Sequence, residues 1–294
     1  MIFLRAAQSA GFCFGVKRSI AMARKARKDS ALPVYTNGDL IHNPSMIATL
    51  REEGISILDG LHKVSTIVSR SHGTGMAEEV RLRDQSRQYI DATCPYVKRI
   101  HAKIEKEKER AILIIGKKKH PEVQAFLDRG KEISAVLETE EDIILLSKDP
   151  KKRNLSYLVL VQTTYSPAKY QEMIGCLKAL QFDFLAENTI CDSVFQRQKE
   201  TEAIAQKADY MIVLGGKNSS NTRELFHLAK RHCRQVFYWE EPVEVQDLEL
   251  ELESKEEIYI GITAGASTPT EHITETISYL QQRYGMENIV VLQK

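Results

Sequence analysis

The chain has 294 residues, 43% of them hydrophobic and 28% charged, which is ordinary globular usage and excludes a disordered, collagen-like or coiled-coil protein. Lys plus Arg at 41 against Asp plus Glu at 40 leaves a formal charge of +1, too balanced for the basic footprint of a non-specific nucleic-acid binder. No apolar run approaches the roughly 18 residues of a membrane span, and the N-terminus MIFLRAAQSAGFCFGV lacks the basic start and long apolar middle of a signal peptide, so a cytoplasmic protein with no membrane or nucleic-acid partner is expected.

Along the chain, apolar residues return every three or four positions over 16–28 (VKRSIAMARKARK), predicting a helix, and a β-branched run at 65–69 (STIVS) predicts a strand. A helix is expected over 96–109 (YVKRIHAKIEKEKE), strands at 111–116 (AILIIG) and 157–162 (YLVLVQ), and a helix over 166–180 (SPAKYQEMIGCLKAL). The pattern then gives a helix over 197–208 (RQKETEAIAQKA), a strand at 210–216 (YMIVLGG), a helix over 222–232 (TRELFHLAKRH) and a strand at 258–265 (IYIGITAG). Such alternation implies α/β layers with parallel strands. The alternating charges from Lys103 to Arg110 read as a solvated helix face.

Five cysteines, at 13, 94, 176, 191 and 233, are few and odd in number, which argues against a secreted disulfide framework, and they form no C-x-x-C pair, which removes a compact zinc ribbon, a thioredoxin-type centre and the tightly spaced ferredoxin pattern. Three of them introduce similar segments, GFCFGVKRSI, DATCPYVKRI and NTICDSVFQRQ. A polar cluster follows after 29, 26 and 28 residues: His42 in IHNPS, His120 in KKKHPEV and Ser219 in KNSSN. A second polar loop follows each time, SHGTG with His72, VQTTYSP with Thr163 and Thr164, and TAGASTP with Ser267. The chain therefore reads as three α/β units, 1–93, 94–190 and 191–294. Polar loops between a strand end and a helix are where α/β proteins place ligands, because helix N-terminal amides favour anions.

Cys13, Cys94 and Cys191 hold equivalent places in the repeat, whereas Cys176 and Cys233 fall within helical patterns. Free cysteine is ordinarily a small buried hydrophobe, but that role gives no reason to recur at each junction. Three thiolates suit a cubane iron–sulfur cluster whose fourth iron stays open, and equally a zinc ion completed by water; the residues alone do not separate the two. His42, His72, His120, Thr163, Ser219, Ser220, Asn221 and Ser267 offer many hydrogen-bond donors and few fixed charges, the composition of an anion pocket. A diphosphate could be held there by neutral donors, helix N-termini and histidines that its own charge keeps protonated. Helix capping accounts for KNSSN or TAGASTP taken singly. Glu122, behind His120 and Pro121, reads as a first-turn carboxylate, and on pattern alone that role is favoured over an acid that serves a substrate. There is no Walker A sequence, no G-x-G-x-x-G opening a helix and no aromatic ladder.

In this order GFCFGV, IHNPS, SHGTG, DATCP, HPEV, QTT, NTICD, GKNSSN and TAGAST, from about Gly11 to Pro269, resemble the IspH (LytB) family of 4-hydroxy-3-methylbut-2-enyl diphosphate reductases. The resemblance implies a trefoil-like arrangement of three pseudo-threefold-related α/β units around a central [4Fe-4S] cluster held by Cys13, Cys94 and Cys191. It implies an oxidoreductase that reductively dehydroxylates (E)-4-hydroxy-3-methylbut-2-enyl diphosphate to isopentenyl and dimethylallyl diphosphate, the last step of the methylerythritol phosphate route to isoprenoids. Electrons would come from a donor such as ferredoxin or flavodoxin. On the same resemblance His42, His72, His120, Ser219, Ser220, Asn221 and Ser267 hold the diphosphate, Thr163 contacts the hydroxyl end, and Glu122 relays protons, which reverses the capping reading. A non-redox iron–sulfur hydratase or lyase would turn over without reductant, and an iron–sulfur sensor would have no use for the donor pocket. Lys117, Lys118, Lys119 and Phe14 depart from the family pattern, none at a position with an assigned role; the lysines read most simply as a solvated loop.

Overall fold

Strands covered on both faces need apolar residues at every position, not at alternate ones. Most positions of the five runs are buried in the computed structural model, which describes residues 1–60, 63–130, 133–251 and 256–292. In chain order the elements are β1 (Ile2–Ala6), α1 (Phe14–Lys28), β2 (Val34–Thr36), α2 (Pro44–Glu52), β3 (Ile55–Ile57), β4 (Val64–Val68), α3 (Met76–Gln85) and β5 (Ser86–Ile90). Next come α4 (Pro95–Lys106), β6 (Ala111–Ile115), α5 (Pro121–Arg129), β7 (Ile133–Leu137), α6 (Glu140–Ser147), α7 (Pro150–Arg153), β8 (Ser156–Val161), α8 (Pro167–Ala179) and β9 (Asp183–Ala186). The chain continues through α9 (Asp192–Ala205), β10 (Tyr210–Leu214), α10 (Ser220–His232), β11 (Gln235–Trp239), β12 (Ile258–Ala264), α11 (Thr270–Tyr284) and β13 (Ile289–Val291). None of the described helices is long and apolar enough to cross a membrane.

The strands pair in parallel into three sheets, ordered β3-β2-β4-β5, β7-β6-β8-β9 and β11-β10-β12-β1-β13. The α/β class with a repeated unit is therefore as expected, and the repeat is one of topology: the second strand lies outside the first, the third inside it, the fourth beyond the third. Connections leave the first and third strands in opposite directions, so the seams β2/β4, β6/β8 and β10/β12 are points of reversal, where loops splay apart and open a crevice at the strand ends. The polar loops picked out in the sequence leave from these seams: 37–43 and 69–75, 116–120 and 162–166, 215–219 and 265–269.

One strand lies outside the local pattern. β1, in the first of the expected segments, pairs with β12 from Ile2↔Ile258 to Ala6↔Ile262 and takes the fourth place of the third sheet, with β13 beyond it. The fourth strands β5, β9 and β1 each run on toward a cysteine, Cys94, Cys191 and Cys13. The sequence repeat starts at these cysteines, and the sheets end there. The helix expected over 96–109 stops at Lys106, because the Glu107 carboxylate accepts from the N–H groups of Lys108, Glu109 and Arg110 at 3.1, 3.0 and 3.1 Å and turns the chain.

The chain forms two compact units: residues 1–16, 42–46 and 192–294, built on the third sheet, and residues 17–41 and 47–191, which hold the first two. In the former, Leu4, Ile212, Leu214, Ile260, Ile262 and Leu280 share one apolar cluster, and Met211, Val213, Leu225 and Ala229 another. In the latter, Leu113, Ile115, Val159 and Val161 pack with Met173 and Leu177, while Ile112, Ile114, Leu158 and Leu160 pack with Ile100 and Phe126. A smaller cluster of Val64, Ile67 and Leu82 serves the first sheet. Each Val, Leu, Ile, Met or Phe among them contributes about 1.5–3 kcal/mol on full burial, enough to hold the seams and their loops in place.

Candidate active site

In the unit built on the first two sheets, the chain leaves β6, turns through residues 116–120 and enters α5 with Pro121 at its first position. His120 caps that helix: its Nδ1 accepts the Glu122 N–H at 3.2 Å. With Nδ1 accepting, Nε2 is the ring nitrogen left to donate to a ligand. Gln162, buried at the end of β8, fixes the approach by accepting the Lys117 N–H at 3.0 Å and donating to Thr164 Oγ1 at 2.7 Å. Sequence reasoning missed Gln162; its signal was a polar residue ending the apolar run YLVLV. Lys118 is tied to Asp142 at 2.6 Å on the surface, in keeping with a solvated loop.

Glu122 is 1% exposed. Its Oε1 accepts the Thr163 N–H at 2.7 Å and its Oε2 accepts the Thr163 hydroxyl at 2.6 Å. Burial pushes the carboxyl up to about 7, against the pull of the two Thr163 hydrogen bonds toward the charged form. A hydroxyl both donates and accepts, so the pair closes with Glu122 ionised or protonated, and a proton can pass through Thr163 Oγ1. His72, from the 69–75 loop, stands edge-on to His120 with ring centroids 5.8 Å apart and planes at 83°. Two histidines, a carboxyl and a hydroxyl predicted from separate motifs are thus brought together.

The unit built on the third sheet gathers the remaining donors. Ser219 caps α10 by accepting the Thr222 N–H at 3.3 Å, and Ser220 and Asn221 follow, both buried. Asn221 is 2% exposed, and among the described residues neither its Oδ1 nor its Nδ2 has a hydrogen-bond partner; the same is true of Thr222 Oγ1. A β-carbon on Gly265 would lie 2.0 Å from that hydroxyl, so only glycine lets the start of α10 approach the loop after β12. The His42 carbonyl accepts the Ser267 hydroxyl at 3.0 Å and would stand 2.8 Å from a β-carbon on Gly216. His42, Ser267 and the Ser219–Asn221 turn therefore form one cluster.

The cysteines repeat a single local arrangement. The N–H of Cys13 donates to Ala266 O, that of Cys94 to Ser71 O and that of Cys191 to Thr163 O, each at 3.0 Å, so each is sewn to the second polar loop of its own sheet. All three are outside any disulfide, half-buried and immediately before a helix, α1, α4 or α9. Cys233 instead is buried at the end of α10 with its thiol 3.3–3.4 Å from three carbonyls, and Cys176 lies within α8. Cys94 and Cys191 belong to one compact unit and Cys13 to the other. Among the described residues, no group of three or more histidine, cysteine, aspartate or glutamate side chains is gathered to hold a metal ion. The donor set itself, three unbridged thiols with fixed backbones, fits a thiolate-held cluster.

The profile of the LytB protein family matches residues 4–281, a span that contains every one of these cysteines, histidines and loops. The chain belongs to the LytB family. It is 34% identical over 291 residues to the 4-hydroxy-3-methylbut-2-enyl diphosphate reductase of Aquifex aeolicus, covering 96% of this chain and 97% of that protein. It is 35% identical over 288 residues to the protein of the same name from Clostridium acetobutylicum, covering 94% of this chain but only 43% of that longer relative. A solved structure of (E)-4-hydroxy-3-methyl-but-2-enyl diphosphate reductase, the terminal enzyme of the non-mevalonate pathway, superposes with a TM-score of 0.69 at 33% identity, covering 96% of this chain and 100% of that one.

Proposed function

We propose that this LytB-family chain is a 4-hydroxy-3-methylbut-2-enyl diphosphate reductase, removing the 4-hydroxyl as water and releasing isopentenyl and dimethylallyl diphosphate. The observation that carries the reading is the Glu122–Thr163 pair: the buried carboxyl is held by two hydrogen bonds and pushed up to about 7, and the same Thr163 offers its carbonyl to the Cys191 N–H. Breaking the C–O bond and forming one C–H bond takes two electrons and two protons. A [4Fe-4S] cluster on Cys13, Cys94 and Cys191 would supply single electrons, from a donor such as ferredoxin or flavodoxin in the cytoplasm, and an open iron that polarises the C–O bond.

The chain's own residues do the rest. The diphosphate is anchored by His42, His72, Ser219, Ser220, Ser267, the Nε2–H of His120 and the Asn221 amide, which fixes the substrate's far end and spends binding energy on orientation. Asn221 supports this assignment, because a buried amide without partners costs roughly 1–3 kcal/mol and is retained where a ligand satisfies it. Glu122, about half protonated at neutral pH, gives its proton through Thr163 Oγ1 to the leaving hydroxyl; a positioned acid of this kind is worth on the order of 10² to 10⁴ in rate.

Anaerobic turnover tests the proposal. The brown protein should form both diphosphate products only when a reductant such as dithionite is present. Cys13→Ser, Cys94→Ser and Cys191→Ser should each lose the chromophore and the activity, while Cys176→Ser and Cys233→Ser keep both. Conversion without reductant, or full cluster content in any of the first three variants, would sink the reading.

A further inference from the structure

His72 sits in a loop from the first sheet yet meets His120, which opens a helix of the second, and something must hold that loop where it is. Two side chains do so. Arg129, at the far end of α5 and 12% exposed at its side chain, donates from Nε to Thr74 O at 2.8 Å, while its remaining nitrogens bind Glu79 and, at 2.6 Å, Glu105. Asp128 beside it accepts the Ala77 N–H at 2.9 Å. His101, on α4, is 5% exposed and lies directly under Gly73: a β-carbon there would be 2.6 Å from its Cε1 and 2.9 Å from its Nε2. Gly73 has φ +86°, so the backbone needs glycine twice over, for its conformation and for this contact. The His101 ring packs edge-on against Phe126 of α5, and its Nε2 has no hydrogen-bond partner among the described residues, so it serves as a shaped filler.

We propose that Arg129 and His101 are positioning residues for substrate binding: from α5 and α4 they fix the 71–75 loop, so that His72 is set against His120 on the helix that also carries Glu122. The effect on catalysis rests on the reductase reading; the clamp itself does not. One helix then sets both parts of this donor group, its first turn through His120 and Glu122 and its last through Asp128 and Arg129. Arg129 is suited to the task because a planar fork reaches a carbonyl and two carboxylates at once, which a lysine ammonium on a flexible stem does not.

Hydrogen exchange on the anaerobically purified holoprotein tests the clamp without reference to activity. Arg129→Lys and His101→Ala should each speed exchange over residues 70–78 on the order of tenfold with the rest of the fold protected, whereas His101→Phe, which keeps a ring beneath Gly73, should restore protection. Unchanged exchange in that segment for both Arg129→Lys and His101→Ala would overturn the clamp. Steady-state kinetics then test its purpose by a double-mutant cycle. Arg129→Lys should raise KM for the diphosphate substrate about tenfold with little loss of kcat, and should raise it less than about twofold in a His72→Ala background. Equal effects in both backgrounds would show that Arg129 does not act through His72, and a wild-type holoprotein without activity would reject the reductase reading while leaving the exchange result to decide the clamp.

Discussion

The second-sheet loops and the third-sheet loops carry the same topology and opposite polar economies. Around Glu122 every group is answered: the carboxylate by Thr163 N–H and Oγ1, the helix N–H by His120 Nδ1, the incoming loop by Gln162. Around α10 the cap is made by Ser219, but the next three side chains are buried, and among the described residues Asn221's amide and Thr222's hydroxyl have no partner. The first arrangement is finished before any ligand arrives, as a proton-transfer site must be if its geometry is to cost nothing at the moment of reaction. The second leaves buried polar groups without a protein partner among the described residues, as a binding site can. On the proposed reading one repeat serves two tasks, and the difference lies in whether the loop's hydrogen bonds close on themselves.

Substitutions at the two places should therefore fail in opposite ways. The largest effect is expected at Glu122→Gln, which keeps both hydrogen bonds to Thr163 but has no proton to give: turnover under excess reductant should fall on the order of 10² to 10⁴-fold with substrate affinity and cluster spectrum retained. Next is the pH dependence of stability. Glu122 is held at about 7 in the fold against 4.5 as its ordinary value. Below pH 4.5 both states are protonated; between 4.5 and 7 the folded chain binds the extra proton, so stability falls as pH rises, by about 3 kcal/mol in total. Denaturant titrations at pH 5 and 8 should show most of that loss in the wild type and little of it in Glu122→Gln.

The smallest expected effect is the most telling about the third sheet. Asn221→Leu replaces an unmatched buried amide by an apolar side chain of similar size, and should stabilise the ligand-free protein by about 1 kcal/mol. Calorimetry should at the same time find inorganic diphosphate bound on the order of tenfold more weakly. A variant that loses stability, or binds as well as wild type, would erase the distinction between the two loops.

Much of this was legible in the residues. Strands buried on both faces announce themselves as unbroken apolar runs, and the Cys-to-polar-loop spacing marks the repeat because each loop must return to the same seam. Edge strands such as β5 (SRQYI) and β9 (DFLA) carry too little apolar signal, and the pairing of Ile2 with Ile258 joins segments that have no local relation. Glu122 shows the limit most clearly. Its local reading was correct in part, since His120 does cap α5 with Pro121 behind it, yet the partner that decides its chemistry is Thr163, 41 residues on. Arg129 and His101 left no motif at all, because each acts on the backbone of a loop from another element.

The central claim is that Glu122 is the proton donor, tuned by burial and by Thr163. The pH profile of kcat under saturating reductant tests it most directly, wild type beside Glu122→Gln. Activity in the wild type should fall as pH rises through about 7, where the buried carboxyl loses its proton, and the small residual activity of the Gln variant should show no such limb. The same descending limb in both proteins, or a Gln variant as fast as wild type, would contradict the account and return Glu122 to a structural role at the start of α5.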